Sequence, residues 1–480
     1  MSMKDHKKYE AVIGLEVHVE LKTRHKIFCD CEVTFGEPPN THVCPVCLAM
    51  PGTLPVLNHE VVEFAVRAGL VTHCEISHSS RIDRKNYFYP DLAKAYQLSQ
   101  ADEPLCLNGY VDVSTEEGKS RIRINRIHIE EDAGKLIHTG RGSSLVDMNR
   151  GGVPLIEIVS EPDIHSADEA VAYLRKLRSL VRYTGISDGR MNEGSLRCDV
   201  NLSIRERGAE QLGTRVEMKN INSFNHVARA IESEFARQAA LLEEGGKITQ
   251  ETRRYDEKSD QTSVMRSKED AADYRYFPDP DLCRVEISEE EIAEIRASIP
   301  RMAEERKKEY IERFSLSDYE AERLTEDKVV ADFFETAANE SRYPKVLASL
   351  IMTELSPLFD DEGDAELPLA PGRLAKLADL LGDEKINSNT GKKVLRLLLE
   401  DDFDPEAYVK AEDLLQITDR QALLRIVENA ITANQKAVED YRKGKETAIK
   451  AIIGRVMKET SGRAYPLLVE EMILEKISQE

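Results

Sequence analysis

Four cysteines near the start of the chain have the spacing of a metal site. Cys29 and Cys31 form one close pair, and Cys44 and Cys47 form a second. Two thiolate pairs on a folded-back loop supply the four soft ligands of a tetrahedral zinc ion. Four protein ligands leave no open position, so we expect a structural zinc loop over 29–47. Two pairs of ordinary or disulfide-forming cysteines are the alternative, although eight cysteines in 480 residues are too sparse for a disulfide framework.

Acidic residues inside apolar β patterns indicate a second kind of site. Residues 15–21 alternate between apolar and polar types, which predicts a strand with Glu16 and His18 on one polar face. Glu157 lies within the nearly continuous apolar run 154–159, where burial of an unpaired carboxylate would cost on the order of several kcal/mol. Glu157 therefore needs a partner, which is either a nearby arginine in a salt bridge or a metal ion.

Two further alternating segments present carboxylates in the same way. The patterns over 196–202 and 214–219 predict strands that expose Asp199 and Glu217. A glycine-containing loop joins them, so we expect a hairpin that places Asp199 and Glu217 roughly opposite each other. Several carboxylates together with one imidazole suit a magnesium-like ion that also holds phosphate oxygens.

Two other segments could take part in phosphate chemistry. Over 126–132 the alternation does not decide whether Glu130 or Glu131 joins the other carboxylates. Over 83–91 two cations stand beside three aromatic residues, which suits phosphate binding, base stacking, or a loop with snorkelling side chains. The chain has no Gly-x4-Gly-Lys-Ser/Thr loop, so metals and side-chain cations would have to hold the phosphates of any ATP.

The elements that position these residues fall into two classes along the chain. Residues 1–301 hold 18 of the 25 glycines and alternate short β patterns with loops, whereas residues 302–480 have the composition of helices. We therefore expect an α+β fold, in which a mainly antiparallel catalytic domain precedes an all-helical region. Boundaries near the prolines at 300 and 405 suggest domains over 1–299, 300–409 and 410–480.

Charge and composition exclude some classes of function. The 66 Lys and Arg against 88 Asp and Glu give a formal charge of −22, so the field of the whole protein repels phosphate. Any contact with RNA must therefore come from a local patch. No apolar run approaches the roughly 18 residues of a membrane helix, and the N-terminus has no apolar core like that of a secretory signal. We expect a cytoplasmic protein that has no membrane partner.

One such local patch lies near the C-terminus. Residues 440–463 contain seven basic and three acidic residues, an excess of +4 within an acidic protein. Within them, Ile449, Ile452, Ile453 and Val456 form an apolar stripe at helical spacing. Core packing explains the stripe, and the basic face is either ordinary solvated surface or an RNA-binding surface.

Several long motifs of the chain closely resemble those of the GatB/GatE family of tRNA-dependent amidotransferase subunits. The motifs that match, in the order of the family, are 12–21, 83–91, 130–135, 154–163, 193–199 and 273–281. The resemblance covers essentially the whole chain, including its helical tail. It implies that the first domain is a cradle similar to that of glutamine synthetase, and that the tail domain at 410–480 contacts the outer elbow of a tRNA.

The resemblance also implies a reaction. Members of the family use ATP and Mg²⁺ to phosphorylate the side-chain carboxylate of Glu-tRNA(Gln), Asp-tRNA(Asn) or both, and ammonia then displaces the phosphate to leave the amide. The ammonia is released from glutamine by an amidase-like glutaminase partner and travels through an internal channel. A small third partner wraps the two larger chains together. The chain would accordingly belong to a heterotrimeric carbon–nitrogen ligase with glutamine as amido donor.

Matched residue by residue, the motifs imply two divalent metal sites. The residues implied for the catalytic magnesium site are His18, Glu131 and Glu157. The residues implied for the second divalent site are Glu16, Asp199 and Glu217. Lys85 and Tyr87 would lie near the transferring group or the mouth of the channel. The zinc loop varies among family members, so the zinc expectation rests on the cysteine spacing as well.

Other interpretations of the sequence compete with this one. A non-enzymatic zinc-containing RNA-binding module would use the carboxylates only for salt bridges, and a free-standing metal-dependent kinase of a small acid would leave the basic tail unexplained. The chain has no Gly-Gly-Ser-Ser-like stretch, and the nearest segment, 142–144, fits a turn. We therefore expect no glutaminase activity from this chain alone.

Overall fold

The computed structural model describes residues 3, 6–140, 142–267, 273–358, 368–460 and 462–479. The chain divides into two units, Met1–Met302 and Ala303–Glu480. Among the described residues, the strands lie in the first unit and the second unit is built from helices. This division confirms the predicted α+β fold, with an antiparallel sheet followed by a helical region.

The strands of the first unit form one large sheet and several small ones. Their bounds are β1 (Tyr9–Glu20), β2 (Glu75–Ile76), β3 (Ser79–Ser80), β4 (Asp83–Asn86), β5 (Tyr96–Ser99), β6 (Cys106–Thr115), β7 (Gly118–Glu131), β8 (Lys135–His138), β9 (Ser144–Asp147), β10 (Pro154–Ser160), β11 (Leu196–Glu206), β12 (Val216–Lys219), β13 (Glu251–Asp256), β14 (Gln261–Ser267), β15 (Phe277–Pro278) and β16 (Val285–Glu286).

Helices pack on the large sheet in the first unit and make up the second. The helices of the first unit are α1 (His59–Val71), α2 (Ala167–Tyr183), α3 (Phe224–Glu243) and α4 (Glu289–Ser298). Those of the second unit are α5 (Ala303–Phe314), α6 (Asp318–Thr325), α7 (Lys328–Glu340), α8 (Pro344–Leu350), α9 (Pro371–Gly382), α10 (Ser388–Glu400), α11 (Pro405–Ala411), α12 (Arg420–Thr432), α13 (Gln435–Arg442), α14 (Ile449–Glu459) and α15 (Pro466–Gln479).

Strand β1 lies in the middle of the large sheet, whose strand order is β14-β13-β12-β11-β1-β10-β7-β6-β2. Neighbouring strands are antiparallel, except that β12 and β13 are parallel. The alternation of β1 has the predicted effect: Val17 and Val19 are fully buried, whereas Glu16 and His18 are partly exposed on the opposite face. One face of the sheet is therefore apolar, and the other presents polar side chains.

The apolar face is covered by helices α1, α2 and α3. Helix α2 begins at the Ser166 N-cap, whose hydroxyl accepts a hydrogen bond from the Glu169 backbone N–H at 3.1 Å. Its Leu174 and Leu177 are fully buried, and burial of such a side chain contributes about 1.5–3 kcal/mol. This packing keeps the strands in place beneath the polar face.

The second unit contains two hydrophobic cores. One core is formed by α5 to α11, and the other by α12 to α15. Within the second core, Ile449, Ile452 and Val456 are buried and Ile453 is partly buried, which confirms the predicted stripe of α14. No helix in the described part of the chain is both long and apolar enough to cross a membrane.

Candidate metal centres

The pairing register of four strands sets up a row of side chains on the polar face. His18 lies opposite Glu157 in the β1–β10 ladder and opposite Arg197 in the β1–β11 ladder. Glu157 in turn lies opposite His128 in the β10–β7 ladder. Directly opposite residues of antiparallel strands have Cβ atoms about 5 Å apart. Two imidazoles, a carboxylate and a guanidinium therefore stand side by side across the sheet.

One histidine and two glutamates of this region, His18, Glu130 and Glu157, form what we call the first cluster. Each offers a ligand atom, and these atoms lie within 4.8 Å of one another. His18 Nε2 is 3.4 Å from Glu130 Oε1 and 3.8 Å from Glu157 Oε2. Two carboxylates and one imidazole from adjacent strands fit a divalent cation and leave positions free for water or phosphate oxygens.

His128 lies against the carboxylate of Glu157. Its Nε2 is 3.1 Å from Glu157 Oε2, and its side chain is buried. Burial by itself would raise the pKa of Glu157, but the hydrogen bond with His128 and the charges of His128, His18 and Lys85 hold that pKa below its usual value. Glu157 is therefore ionised at neutral pH, as a metal ligand must be.

The two neighbouring glutamates of β7 occupy different environments, and the structure does not bring Glu131 into the first cluster. Glu131 Oε2 is 2.6 Å from the Lys94 ammonium, and Glu131 Oε1 accepts a hydrogen bond from the Leu98 backbone N–H at 2.8 Å. Adjacent residues of a strand project to opposite faces, so only one of the two glutamates can join the first cluster. In the structure this glutamate is Glu130.

Glu131 instead lines a cavity that reaches the cysteines. The cavity has a volume of about 220 Å³ and is lined by Lys94 and Glu131 on one side and by Lys26, Cys29 and Cys47 on another. The first cluster lies outside this lining. The two glutamates therefore serve separate parts of the first unit.

Three carboxylates, Glu16, Asp199 and Glu217, form what we call the second cluster, with ligand atoms within 4.8 Å of one another. Glu16 lies opposite Asp199 in the β1–β11 ladder. The predicted pairing of β11 with β12 is confirmed, but Glu217 lies opposite Asn201 and not opposite Asp199. Side chains two residues apart share a face, so this difference in register still leaves Glu217 beside Asp199.

A lysine ammonium already contacts the second cluster. Lys219 Nζ donates to Asp199 and lies 2.9 Å from Glu217 Oε1. Burial would lower the pKa of Lys219, but the charges of Asp199 and Glu217 keep it above its usual value. Burial and the charge of Glu157 raise the pKa of Glu16. The donor set therefore suits a divalent ion, but two of its members are engaged by a cation of the chain itself.

Lys85 and Tyr87 border the first cluster. Lys85 belongs to β4, and its charge helps to lower the pKa of Glu157. The pKa of Tyr87 is raised chiefly by burial, then by the charges of Asp91 and Glu130. Both side chains therefore interact electrostatically with members of this cluster.

The sequence patterns did not single out His128, Lys94 or Lys219. His128 stands two residues before Glu130 in one strand, and Lys219 stands two residues after Glu217, so the period of two contained a signal for both. Lys94 comes from the loop before β5, and no periodicity links it to Glu131.

The four predicted zinc ligands come together in the structure. The sulfur atoms of Cys29, Cys31, Cys44 and Cys47 lie within 4.8 Å of one another, and none of these cysteines forms a disulfide. A hydrogen bond from Cys29 lowers the pKa of the Cys47 thiol, and the charge of the fully buried Lys26 adds to this effect. Four clustered sulfurs, one of which favours the thiolate, fit the tetrahedral coordination of zinc.

Comparison with known proteins assigns both units to one family. The GatB/GatE catalytic domain matches residues 11–293, and the GatB domain matches residues 332–477. The chain is 52% identical over 474 residues to an aspartyl/glutamyl-tRNA(Asn/Gln) amidotransferase subunit of Caldanaerobacter subterraneus subsp. tengcongensis, which covers 98% of this chain and 100% of that protein. It is 50% identical over 479 residues to the protein of the same name from Carboxydothermus hydrogenoformans, which covers 98% of this chain and 100% of that protein.

Exchange of each glutamate of β7 for glutamine separates their roles. We expect Glu130→Gln to weaken Mn²⁺ binding at the first cluster about tenfold or more, because it removes one of three charged or imidazole ligands. Glu131→Gln should leave Mn²⁺ binding unchanged, because Glu131 pairs with Lys94. Titration of the purified protein with Mn²⁺, followed by calorimetry or electron paramagnetic resonance, measures both. Loss of binding in Glu131→Gln with retention in Glu130→Gln would reverse the assignment.

Proposed function

Because the chain belongs to the GatB/GatE family, we propose that it is the component of a tRNA-dependent amidotransferase that activates the carboxylate of a misacylated tRNA. The substrate is Glu-tRNA(Gln), Asp-tRNA(Asn) or both, and the product is the corresponding amide. Tandem matches to the catalytic and GatB domains, and relatives named as amidotransferase subunits over nearly the whole chain, support this role. The reaction belongs in the cytoplasm, where tRNAs are charged.

The observation that supports this chemistry best is the position of two carboxylate clusters side by side on one rigid strand. Glu16 of the second cluster and His18 of the first cluster are two residues apart on the polar face of β1, which corresponds to about 7 Å. Phosphoryl transfer from ATP to a carboxylate brings two anions together and therefore requires concentrated positive charge. Magnesium ions held at these clusters would bridge phosphate oxygens and offset their charge.

The residues of this chain then have distinct tasks. Glu157, His18 and Glu130 hold the divalent ion, and His128 keeps the Glu157 carboxylate oriented through its Nε2 contact of 3.1 Å. Lys85 adds a positive charge beside the first cluster, where it can attract an anionic substrate group. Each of these groups except Lys85 projects from the large sheet, so their spacing is set by the ladders and not by loops.

Two successive displacements account for the atoms. A side-chain carboxylate oxygen of the aminoacyl group attacks the γ-phosphorus of ATP, so the new O–P bond forms as the bond to ADP breaks. The nitrogen of ammonia then attacks the acyl carbon, the C–O bond to phosphate breaks, and inorganic phosphate leaves. The nitrogen loses one proton and becomes the amide. The clusters of this chain serve the first displacement, in which the phosphate charge is largest.

Ammonia must come from a partner. The segment 142–144 joins β8 to β9, and Thr139 Oγ1 donates to the Ser143 carbonyl at 2.9 Å, which supports a turn in place of a nucleophile loop. We assign glutamine hydrolysis to an amidase-like glutaminase partner, with ammonia passing to this chain through an internal channel. A small third partner would hold the two larger chains together as a heterotrimer.

The tail is the proposed contact for tRNA. Four exposed lysines, Lys443, Lys445, Lys450 and Lys458, lie on or before α14, whose apolar side is buried. Lysine ammonium groups bind phosphate oxygens as point charges, without reading base edges. Such a surface suits recognition of tRNA by its shape and backbone, and it is local enough to act within a protein of net charge −22.

Removal of one first-cluster ligand should abolish carboxylate activation. We expect His18→Ala and Glu157→Ala to lower ATP-dependent phosphate release and amide formation on misacylated tRNA by about a hundredfold or more, because phosphate charge is then left uncompensated. Purified heterotrimer is assayed for phosphate, amide and glutamate. Glutamate release from glutamine should persist in both variants and should be absent from this chain alone. Wild-type phosphate release in either variant would remove that residue from the site, and a wild-type complex that binds tRNA without releasing phosphate would favour the RNA-binding module.

The cysteine cluster should hold one zinc ion per chain. We expect Cys44→Ser and Cys47→Ser to lose zinc and to unfold at a lower temperature, because a closed four-ligand site contributes to folding and leaves no room for substrate. Metal analysis and thermal unfolding measure this. The exposed, isolated Cys283 supplies the control, and Cys283→Ser should keep its zinc. Zinc-free full-length protein, or a disulfide among the four residues, would refute the site.

Loss of the tail should weaken tRNA binding while leaving the metal centres intact. A chain that ends at Leu415 retains the core of α5 to α11, and the variant Lys443→Gln/Lys445→Gln/Lys450→Gln keeps the whole fold. We expect both to bind tRNA less tightly, and the triple variant to lower the slope of log affinity against log salt by about one for each lost phosphate contact. Binding is measured over a salt series. Unchanged affinity in both would show that the first unit alone recognises tRNA.

A further inference from the structure

Every carboxylate of the second cluster already accepts a hydrogen bond from the chain itself. Lys219 Nζ donates to Asp199 and lies 2.9 Å from Glu217 Oε1. The Asn201 amide donates to Glu16 Oε1 at 2.8 Å. The first cluster differs, because its partners are imidazoles that lie 3.1–3.8 Å from the carboxylates. The two clusters therefore offer a divalent ion very different starting conditions.

An ammonium and a divalent ion compete for the same oxygens. The ammonium donates into the carboxylate lone pairs that would coordinate a metal, and magnesium approaches its oxygen ligands to about 2.1 Å. Two cations bound to one pair of carboxylates would also repel each other across a few ångströms of poorly screened space. Lys219 and the ion can therefore not engage Asp199 and Glu217 together in the geometry that the lysine adopts here.

We propose that Lys219 and a divalent cation are alternative occupants of the Asp199–Glu217 pair, so that the second cluster binds its ion only by displacing the Lys219 ammonium. This inference rests on the proposed metal role of the second cluster. With the lysine in place, one positive charge is fixed near the carboxylates and the ion binds weakly. With the ion in place, Lys219 turns away from the pair. Its side chain is 33% exposed, so it has a route to solvent.

The exchange gives the displaced lysine a new task. Lys219 and Glu217 lie on the same face of β12, and that face continues the polar face of the large sheet. An ammonium released there stays within reach of an anion bound between the two clusters. The polyphosphate of a nucleotide is such an anion, and a lysine binds it as a mobile point charge. Ion loading and phosphate binding would therefore favour each other.

The chemical reactivity of Lys219 in the wild-type protein tests the exchange directly. The purified full chain is treated with an amine-acylating reagent, first after removal of divalent ions with chelator and then at increasing Mn²⁺, and each lysine is quantified by mass spectrometry. We expect Lys219 to be protected without Mn²⁺ and to become several-fold more reactive as the weaker ion site fills. The exposed Lys119 of β7 serves as the internal reference and should not change. Protection of Lys219 that persists at saturating Mn²⁺ would overturn the inference.

Metal affinity provides the second arm. In a His18→Ala background, which weakens the first cluster, Lys219→Met should bind Mn²⁺ about tenfold or more tightly than the parent, because the competing cation is gone. Glu217→Gln should abolish this binding. Because Lys219→Met leaves carboxylates unpaired, its unfolding temperature should fall in chelator and recover more than that of the parent when Mn²⁺ is added. Equal affinity with and without Lys219 would refute competition alone, whereas no Mn²⁺ binding at the second cluster in any variant would refute its metal role.

Discussion

Register at the central strand is the constraint on which the rest of the structure depends. β1 is paired on one side with β10 and on the other with β11, and these two ladders place Glu157 and Arg197 beside His18. A slip of one residue would turn His18 into the core and bring Val17 or Val19 to the polar face. The burial of those valines against α1, α2 and α3 therefore fixes the position of the metal ligands on the other face. The apolar core and the chemistry are set by a single choice of register.

A concentration of negative charge is the cost of this arrangement. Both clusters and their neighbours hold carboxylates within a few ångströms, and the pKa of Glu20, the next polar residue of β1 after His18, is raised to about 7 by burial and then by Asp132. The chain offsets the charge differently at each place. At the first cluster His128 lies against Glu157, while at the second an ammonium lies between two carboxylates. The polar face is therefore pre-organised to accept cations, and its affinity for each is set by which internal partner must yield.

The sequence predicted the parts of the fold that depend on local periodicity. Alternation in β1 identified Glu16 and His18 as neighbours on one face, and the hairpin of β11 with β12 followed from two alternating runs and a glycine-containing loop. The choice between Glu130 and Glu131 could not follow from alternation alone. The end of β7 is buried on both faces, so apolar and polar positions do not separate there. The family resemblance implied Glu131, whereas the ladder with β10 turns Glu130 towards His18.

Partners contributed by loops lay beyond the reach of sequence patterns. Lys94 pairs with Glu131 across 2.6 Å, although 37 residues separate them, and the zinc loop approaches the same cavity from a third segment. Such contacts depend on how a loop closes and not on its periodicity. They also explain why the two glutamates, adjacent in sequence, can have unrelated tasks. Once one carboxylate is engaged by a lysine in a buried site, it is unavailable to a metal, and the same reasoning that removes Glu131 from the first cluster makes Lys219 the competitor of the ion at the second.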